Sequence, residues 1–346
     1  MALSWRLVRR AAPVIDRQPP VSRQPESLAS TPNNRLYRWR VGSAATRLCH
    51  VSGARVAIAC CRRSGDAGPT DLYPDPDAAP LQAAFSELGA HSRLVAWDDP
   101  VVEWGSFSHV LVSSTWDSVD RPGDYLAWVK RVAALSTLVN PERVITWNLD
   151  KTHQQDLAKA GVPVIPTTWV RPGNFLAALP ATEFVVKPSV SAGGRGTARY
   201  APGDPAALGH VESLHELGQT VMVQEYCSRI DEEGEVDLIF VNGACTHAVL
   251  KRPALSTGEG VVERPWERMA WAGRVAPLPD QLAVANRTIE AVAEGVGCMP
   301  VYGRVDLVGG HSGEPLVLEV ELIDPYLSFD MEPSAAGHLA TAILHR

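Results

Sequence analysis

Two lysines, a glycine-rich stretch and three carboxylates are the residues of this chain best suited to chemistry. Lys151 follows Asp150 at the start of an expected helix, and Lys187 ends the apolar run FVVK. Soon after Lys187 comes SAGGRG, which holds Gly193, Gly194, Arg195 and Gly196. Asp306 lies in GRVDLV, and Glu319 and Glu321 lie in LVLEVELI. Ammonium groups on flexible stems suit a phosphate chain. Glycine removes the steric bar to the dihedrals that aim backbone N–H groups at phosphate oxygens, and the Arg195 guanidinium can reach the same anion. Hard carboxylate oxygens suit Mg²⁺. Residues i and i+2 share one face of a strand, so Glu319 and Glu321 point the same way, and Asp306 on a neighbouring strand can join them. Three carboxylates on one face repel strongly without a cation.

Each feature alone has a plain explanation. A lysine at a strand end is usually solvated, GGRG is usually a loop, and E-x-E is usually the wet face of a strand. GRVDLV and LVLEVELI are too apolar for exposed strands, however, so their acids need a partner. With VQEYCSRIDEEGE, a strand that runs into an acidic turn, as the third station between FVVKP with its Gly-rich loop and the carboxylate strands, the order and spacing of the four stations make the joint reading stronger than any one of them.

The surrounding elements alternate between strand and helix patterns. Residues 56–61 (VAIACC) read as a buried parallel strand. Leu81, Ala84, Phe85 and Leu88 recur at helical spacing before Gly89. Strands follow at 94–97 and 109–113, then an amphipathic helix at 125–135. A helix is expected at 150–160, a proline-punctuated strand in GVPVIPTTWV, and strands at 184–187 and 221–224. Asn242-Gly243 between 238–241 and 246–250 is a hairpin signal. A helix near 280–297, strands at 302–308 and 315–321, and a closing helix near 334–344 complete an α/β chain.

Composition narrows the function classes. With 346 residues, 45% of them hydrophobic, the chain exceeds one simple core and suggests two or three lobes. Residues 1–54 hold nine Arg, no Lys and two acids, a charge of +7; the whole chain is −7, so the remainder carries −14. That balance speaks against a nucleic-acid partner. No apolar run is long enough for a membrane span. The six cysteines form no CxxC pair, which fits reduced thiols and a cytoplasmic setting. Residues 1–53 show no sustained period and are expected to be an unstructured, Arg-rich extension.

The region from about Arg55 onward resembles ATP-grasp enzymes of the glutathione synthetase and ribosomal-protein glutamate ligase kind. FVVKP with its Gly-rich flap, VQEY and D…E-x-E carry the likeness. A bacterial subgroup that includes cycloserine synthetase is closer, through WDDP, STWD, LVNPERVITWNLDK, THAVLKRP and LEVELIDP. Two departures stand out. Glu321 occupies a station where many relatives have Asn, and VVERPWERMAW lacks the Arg-Val-Gln…Gly-Gly run of close relatives.

The resemblance implies an ATP-grasp fold. It would have an open α/β pre-ATP-grasp lobe (54–147), a small central lobe with the flap (148–226) and a C-terminal lobe with the metal site (227–346), ATP lying between the last two. Lys151, Lys187, Gly193, Gly194, Arg195, Gly196, Glu225, Tyr226 and Asp231 would then meet ATP. Asp306, Glu319 and Glu321 would hold Mg²⁺ or Mn²⁺, and Arg252 would steady the transferred phosphoryl group. Ser113, Ser114, Thr115, Trp116 and Asp117 follow an expected strand, where open α/β sheets bind ligands, and are expected to touch a small amino-acid-like substrate. Helix capping and core packing are the competing roles for that run.

The activity implied is ATP-dependent C–N ligation through an acyl-phosphate-type intermediate. Within the subgroup it is cyclisation of O-ureidoserine in antibiotic biosynthesis. An intermolecular amino-acid or peptide ligase is one alternative. A non-catalytic ATP-binding regulator is another, though the intact carboxylate trio speaks against it. Self-association into a homo-oligomer stays open. A chain beginning at Ser52 should fold and keep full activity; circular dichroism and ADP release would check this.

Overall fold

The computed structural model describes residues 53–62, 72–73, 75–252, 255–261 and 270–346. The expectation for residues 1–53 therefore lies, Gly53 apart, outside the described residues, and so does most of VVERPWERMAW.

Three sheets organise the described chain. In the first, β1 (Arg55–Cys60) is buried in all but its first residue, as a parallel strand covered on both faces must be. It pairs in parallel with β2 (His91–Ala96) and β3 (His109–Ser114), and β4 (Thr137–Leu138) extends the order to β2-β1-β3-β4. Alternate side chains of β1 enter two cores. Val56 and Ile58 meet Leu81 and Phe85 of α1 (Ala78–Glu87). Ala57 and Ala59 share a core with Tyr125, Trp128 and Val129 of α2 (Pro122–Ala133) and with Trp97 and Trp104.

Two helices, α3 (Glu142–Asn148) and α4 (Gln154–Lys159), lead to the second sheet. It holds β5 (Thr167–Val170), β6 (Phe184–Pro188), β7 (Ala198–Tyr200) and β8 (Val221–Glu225) in the antiparallel order β5-β8-β6-β7. Helix α5 (Ala206–Glu216) packs Val211 and Leu214 against Phe184, Val186 and Val223. The Gly-rich stretch is the connection from β6 to β7.

The third sheet follows the short α6 (Ile230–Glu233). Strands β9 (Glu235–Val241), β10 (Ala244–Arg252), β11 (Ala270–Val275), β12 (Tyr302–Gly309) and β13 (Pro315–Glu321) take the antiparallel order β11-β10-β9-β12-β13. Asn242 and Gly243 both have positive φ, 50° and 80°, the backbone of a two-residue hairpin whose twist matches its strands. Helix α7 (Pro279–Val296) covers the sheet with Ala285, Ile289 and Val292. Helix α8 (Pro333–Leu344) puts Leu339 and Ile343 in the same core as Leu81, Phe85, Ile239 and Val249, joining the first sheet to the third.

The expected strands and helices recur with small shifts of their ends. GVPVIPTTWV becomes a strand only from Thr167, because Pro163 and Pro166 offer no N–H to a ladder. Strand β7, helices α3 and α5, and strand β11 had no counterpart in the sequence reading. Among the described residues no helix is long and apolar enough to cross a membrane.

Two asparagines fix the carboxylate-bearing strands to the first sheet. Asn140 donates from Nδ2 to the carbonyls of Tyr302 (2.9 Å) and Leu322 (2.7 Å), and its Oδ1 accepts from Val301 N–H (2.8 Å). Asn148 bonds Val320 O and Leu322 N–H at 2.8 and 2.7 Å. Asn140→Ala would leave one buried N–H and two carbonyls unpaired. Chemical denaturation should show a loss of about 2–4 kcal/mol.

Candidate active site

A cleft lies between the second and third sheets, and each of its features follows from a local cause. The Asp150 carboxylate accepts Thr152 N–H at 2.8 Å and so opens the tight turn Lys151–His153. The Lys151 backbone N–H donates to Ser189 O at 2.8 Å, and its ammonium donates to Ser191 O at 2.6 Å and pairs with Glu319 at 3.0 Å. Lys187, at the end of β6, is buried beside it. Burial pushes its pKa down, Glu319 pulls it back, and Lys151 pushes it down further.

A third lysine was not foreseen. Lys251 near the end of β10 is buried, paired with Glu235, 3.6 Å from Asp237 and 3.8 Å from Asp306. Burial alone would lower its pKa, but these three acids raise it above the usual lysine range. A signal for it existed: in KRP, strand alternation turns Lys251 and Arg252 to opposite sides. Arg252, the residue chosen from the sequence, is exposed at the cleft rim with Nη1 3.5 Å from Glu232 O.

The ladder register sets the acids in rows. Asp237 is opposite Asp306, Asp306 is opposite Glu319, and Arg304 is opposite Glu321. Asp306, Glu319 and Glu321 offer oxygens within 4.8 Å of one another, as do Glu235, Asp237 and Asp306. Arg304 grips Asp306 through two bonds of 2.7 and 2.9 Å and meets Glu321 at 2.8 Å. Neither Arg304 nor the Glu235–Asp237 pair was singled out in the sequence, although GRVD and GEVD carry them. Asp237 is fully buried, and its carboxylate oxygens have no hydrogen-bond partner among the described residues; Lys251 and Arg304 (3.7 Å) supply its countercharge.

Glu319 and Glu321 differ although two residues apart. Burial would raise Glu319, but Lys151, Lys187 and Arg304 overcome it and bring its pKa to about 2. Burial raises Glu321 to about 8, helped by Glu319 and Asp306 and opposed by Arg304. The expected mutual repulsion therefore falls on one member of the trio.

Above the lysines, Gly193, Gly194 and Gly196 have φ of 59°, 73° and 68°, a left-handed backbone that turns the flap over the cleft. Gly193 and Gly194 line it. Arg195 extends away from the flap to bond Asp120 and the Trp116 carbonyl. At the far end Ile165, Val185, Ile230, Val308 and Leu318 make an apolar slot beside Glu225 and Tyr226. Asp231 accepts from the Tyr226 hydroxyl at 2.5 Å and from Arg199 at 3.1 Å.

In the 113–117 run, Ser113 donates to Asp75 at 2.6 Å, and Ser114 and Thr115 are buried. The Thr115 hydroxyl donates to Asp324 at 2.8 Å, and Trp116 Nε1 donates to Asp324 O at 2.9 Å. Asp117 accepts from Trp97 Nε1 at 2.7 Å and lies 3.4 Å from Arg121. These side chains bind the carboxyl end of β3 to the segment after β13. No side-chain cap forms at Asp117.

The donor set suits a nucleoside triphosphate: an apolar slot for a base at one end, and three ammonium groups and flap N–H groups at the other. The carboxylate trio suits Mg²⁺, which takes a few carboxylates together with phosphate oxygens.

Comparison with known proteins agrees. Residues 56–140 match the family model for the N-terminal domain of D-cycloserine synthetase DcsG. The cycloserine biosynthesis protein DcsG of Streptomyces lavendulae is 37% identical over 285 residues, which are 79% of this chain and 94% of that protein. The chain belongs to this family of ATP-grasp ligases. The crystal structure of D-cycloserine synthetase DcsG superposes with a TM-score of 0.76 at 33% identity, over 85% of this chain and 99% of the other. D-alanine–D-alanine ligase from Bacillus anthracis complexed with ATP shares the fold, with a TM-score of 0.57 at 13% identity over 84% and 96% of the two chains. The family makes this protein an ATP-dependent ligase.

Glu321 also sets a pH dependence. Between its ordinary value of 4.5 and about 8, the native chain keeps a proton that the unfolded chain has released, so its contribution to stability falls as pH rises. Glu321→Gln should therefore gain Tm over the parent progressively from pH 5 to 8, by about 2–4 °C or more. Scanning calorimetry would check this, and a difference that does not change with pH would count against the shift.

Proposed function

We propose that this ligase activates the carboxylate of an O-ureidoserine with ATP and closes the ring by forming a C–N bond within the molecule, as in cycloserine biosynthesis. The observation that carries the ATP chemistry is the meeting of Lys151, Lys187 and Lys251 with Asp306, Glu319 and Glu321 in one cleft. The substrate follows from the similarity to cycloserine synthetase along most of the chain. One sheet within each of 54–147, 148–226 and 227–346 supports the three-lobe division.

ATP would supply the phosphoryl group that makes a carboxylate oxygen a leaving group, and Mg²⁺ would supply positive charge beside the phosphates. Lys151 and Lys187 would hold the phosphate chain, their positive charge drawn from a dry setting where it acts strongly. Gly193, Gly194 and Gly196 would cover it and exclude water, with Arg195 fixing the flap, and Arg252 would reach the transferred group from the rim. Asp306, Glu319 and Glu321 would hold the metal. Lys151, paired with Glu319 at 3.0 Å, would turn to the phosphates and so free that carboxylate for the cation. The Ile165, Val185 and Leu318 slot would take adenine against Glu225 and Tyr226. Asp231 would reach the ribose from its place beside Arg199. Ser113, Ser114, Thr115, Trp116 and Asp117 would shape the substrate side, more as a braced wall than as free donors.

The test is incubation with ATP, Mg²⁺ and O-ureidoserine. Loss of the open-chain substrate, a ring product by mass spectrometry and matching ADP release are expected. A dipeptide from paired amino acids instead would assign intermolecular ligation. Lys151→Ala or Lys187→Ala should lower ADP release by about 10²- to 10³-fold with the circular dichroism spectrum unchanged; undiminished release would remove these lysines from the site.

A further inference from the structure

Arg195 joins the flap to the loop that follows β3. Its Nη1 donates to both carboxylate oxygens of Asp120, at 2.9 and 3.0 Å, and its Nη2 donates to the Trp116 carbonyl at 2.7 Å. Asp120 closes the tight turn Ser118–Asp120, immediately after the 113–117 run. That run is braced in turn, since Thr115 and Trp116 both bond Asp324, three residues beyond Glu321, the last residue of the carboxylate strand β13. A continuous set of bonds thus runs from the end of β13, through residues 115–120, to the flap.

The flap needs such a tie. Gly194 and Gly196 flank Arg195 with left-handed φ, and glycines hold no single backbone conformation by themselves. A guanidinium bonded through two nitrogens fixes orientation as well as distance, which a lysine at the same point does not.

We propose that Arg195 and Asp120 form a latch through which the loop after β3 holds the Gly-rich flap closed during turnover. The inference rests on the ligase reading of the cleft. With the latch shut, the flap keeps water from the phosphoryl group. With it open, water attacks the γ-phosphorus; the bond to the ADP oxygen breaks, a bond to the water oxygen forms and its proton passes to solvent. ADP and phosphate leave, and the organic substrate is returned unchanged. Asp120 touches no reacting atom and is a positioning residue. If residues 113–117 shape the substrate side as proposed above, the latch also ties closure to that loop.

Asp120→Ala and Asp120→Glu in the full chain test the latch with two readouts. The first is the ratio of ADP released to ring product formed, with KM for ATP measured on the same samples. The second is trypsin cleavage after Arg195, followed by mass spectrometry, because trypsin must draw the Arg195 side chain out of its contacts. For Asp120→Ala the ratio should rise several-fold with KM for ATP unchanged, and cleavage after Arg195 should quicken by about tenfold. Asp120→Glu, which keeps a carboxylate, should recover most of both. An Asp120→Ala protein with the parent's ratio and the parent's cleavage rate overturns the latch, as does a lower Tm with both rates falling and their ratio fixed. If the parent enzyme makes no ring product at all, the ring-closing reading fails instead, and equal cleavage of parent and Asp120→Ala then overturns the latch independently.

Discussion

Five carboxylates share one face of the third sheet, and the cations around them decide which of the five stay charged. Glu235 and Asp237 on β9, Asp306 on β12, and Glu319 and Glu321 on β13 stand in neighbouring registers. Like charges this close, partly out of water, would spread the strands or take up protons. Arg304, Lys251 and Lys151 oppose it, each bonded to a different subset. The compensation is uneven. Glu319 has two lysines nearby and stays ionised, whereas Glu321 shares Arg304 with Asp306 and is raised. In the proposed metal site a cation would meet Glu319 charged and would have to displace a proton from Glu321.

Replacing the whole set of charges by well-packed hydrophobic residues would suit the apolar strands better, whereas removing one member alone would leave a partner's charge buried and unpaired. Their retention in VDLIFV, GRVDLV and LVLEVELI is a cost in stability set against binding. Three sheets spread that cost. Asn140 and Asn148 anchor the ends of β12 and β13, and α8 packs the first sheet against the third. The cleft between the second and third sheets is thereby open to a ligand while its charged floor is held by rigid elements.

Much of the framework was legible in the sequence because it depends on short-range rules. The mostly apolar runs 56–61, 109–113 and 302–308 read as covered strands and recur as β1, β3 and β12 with ends shifted by one residue, and Asn242-Gly243 marks a hairpin whose positive φ values the structure shows. Lys151, Lys187, Glu319 and Glu321 were singled out because residue type and spacing suit phosphate and metal chemistry, and the structure brings them into one cluster. Helix α5 and strand β7 were missed: β7 is three residues long and takes its form from pairing with β6.

The sequence by itself determined the α/β rhythm, the glycine-rich flap and the face shared by Glu319 and Glu321, since periodicity and the steric freedom of glycine are properties of neighbouring residues. Only the tertiary structure decided which cation serves which acid. Arg304 pairs with Asp306 and Glu321, Lys151 with Glu319, and Lys251 with Glu235. It also turned Arg195 from the phosphate side toward Asp120. Apart from Arg304 and Asp306, two residues apart on one strand, those choices depend on strand register and on loops meeting across 16 to 168 residues of chain, from Lys251–Glu235 to Lys151–Glu319. Charge pairs at such separations leave no periodic trace, because Coulomb energy depends on distance in space and not on position along the chain.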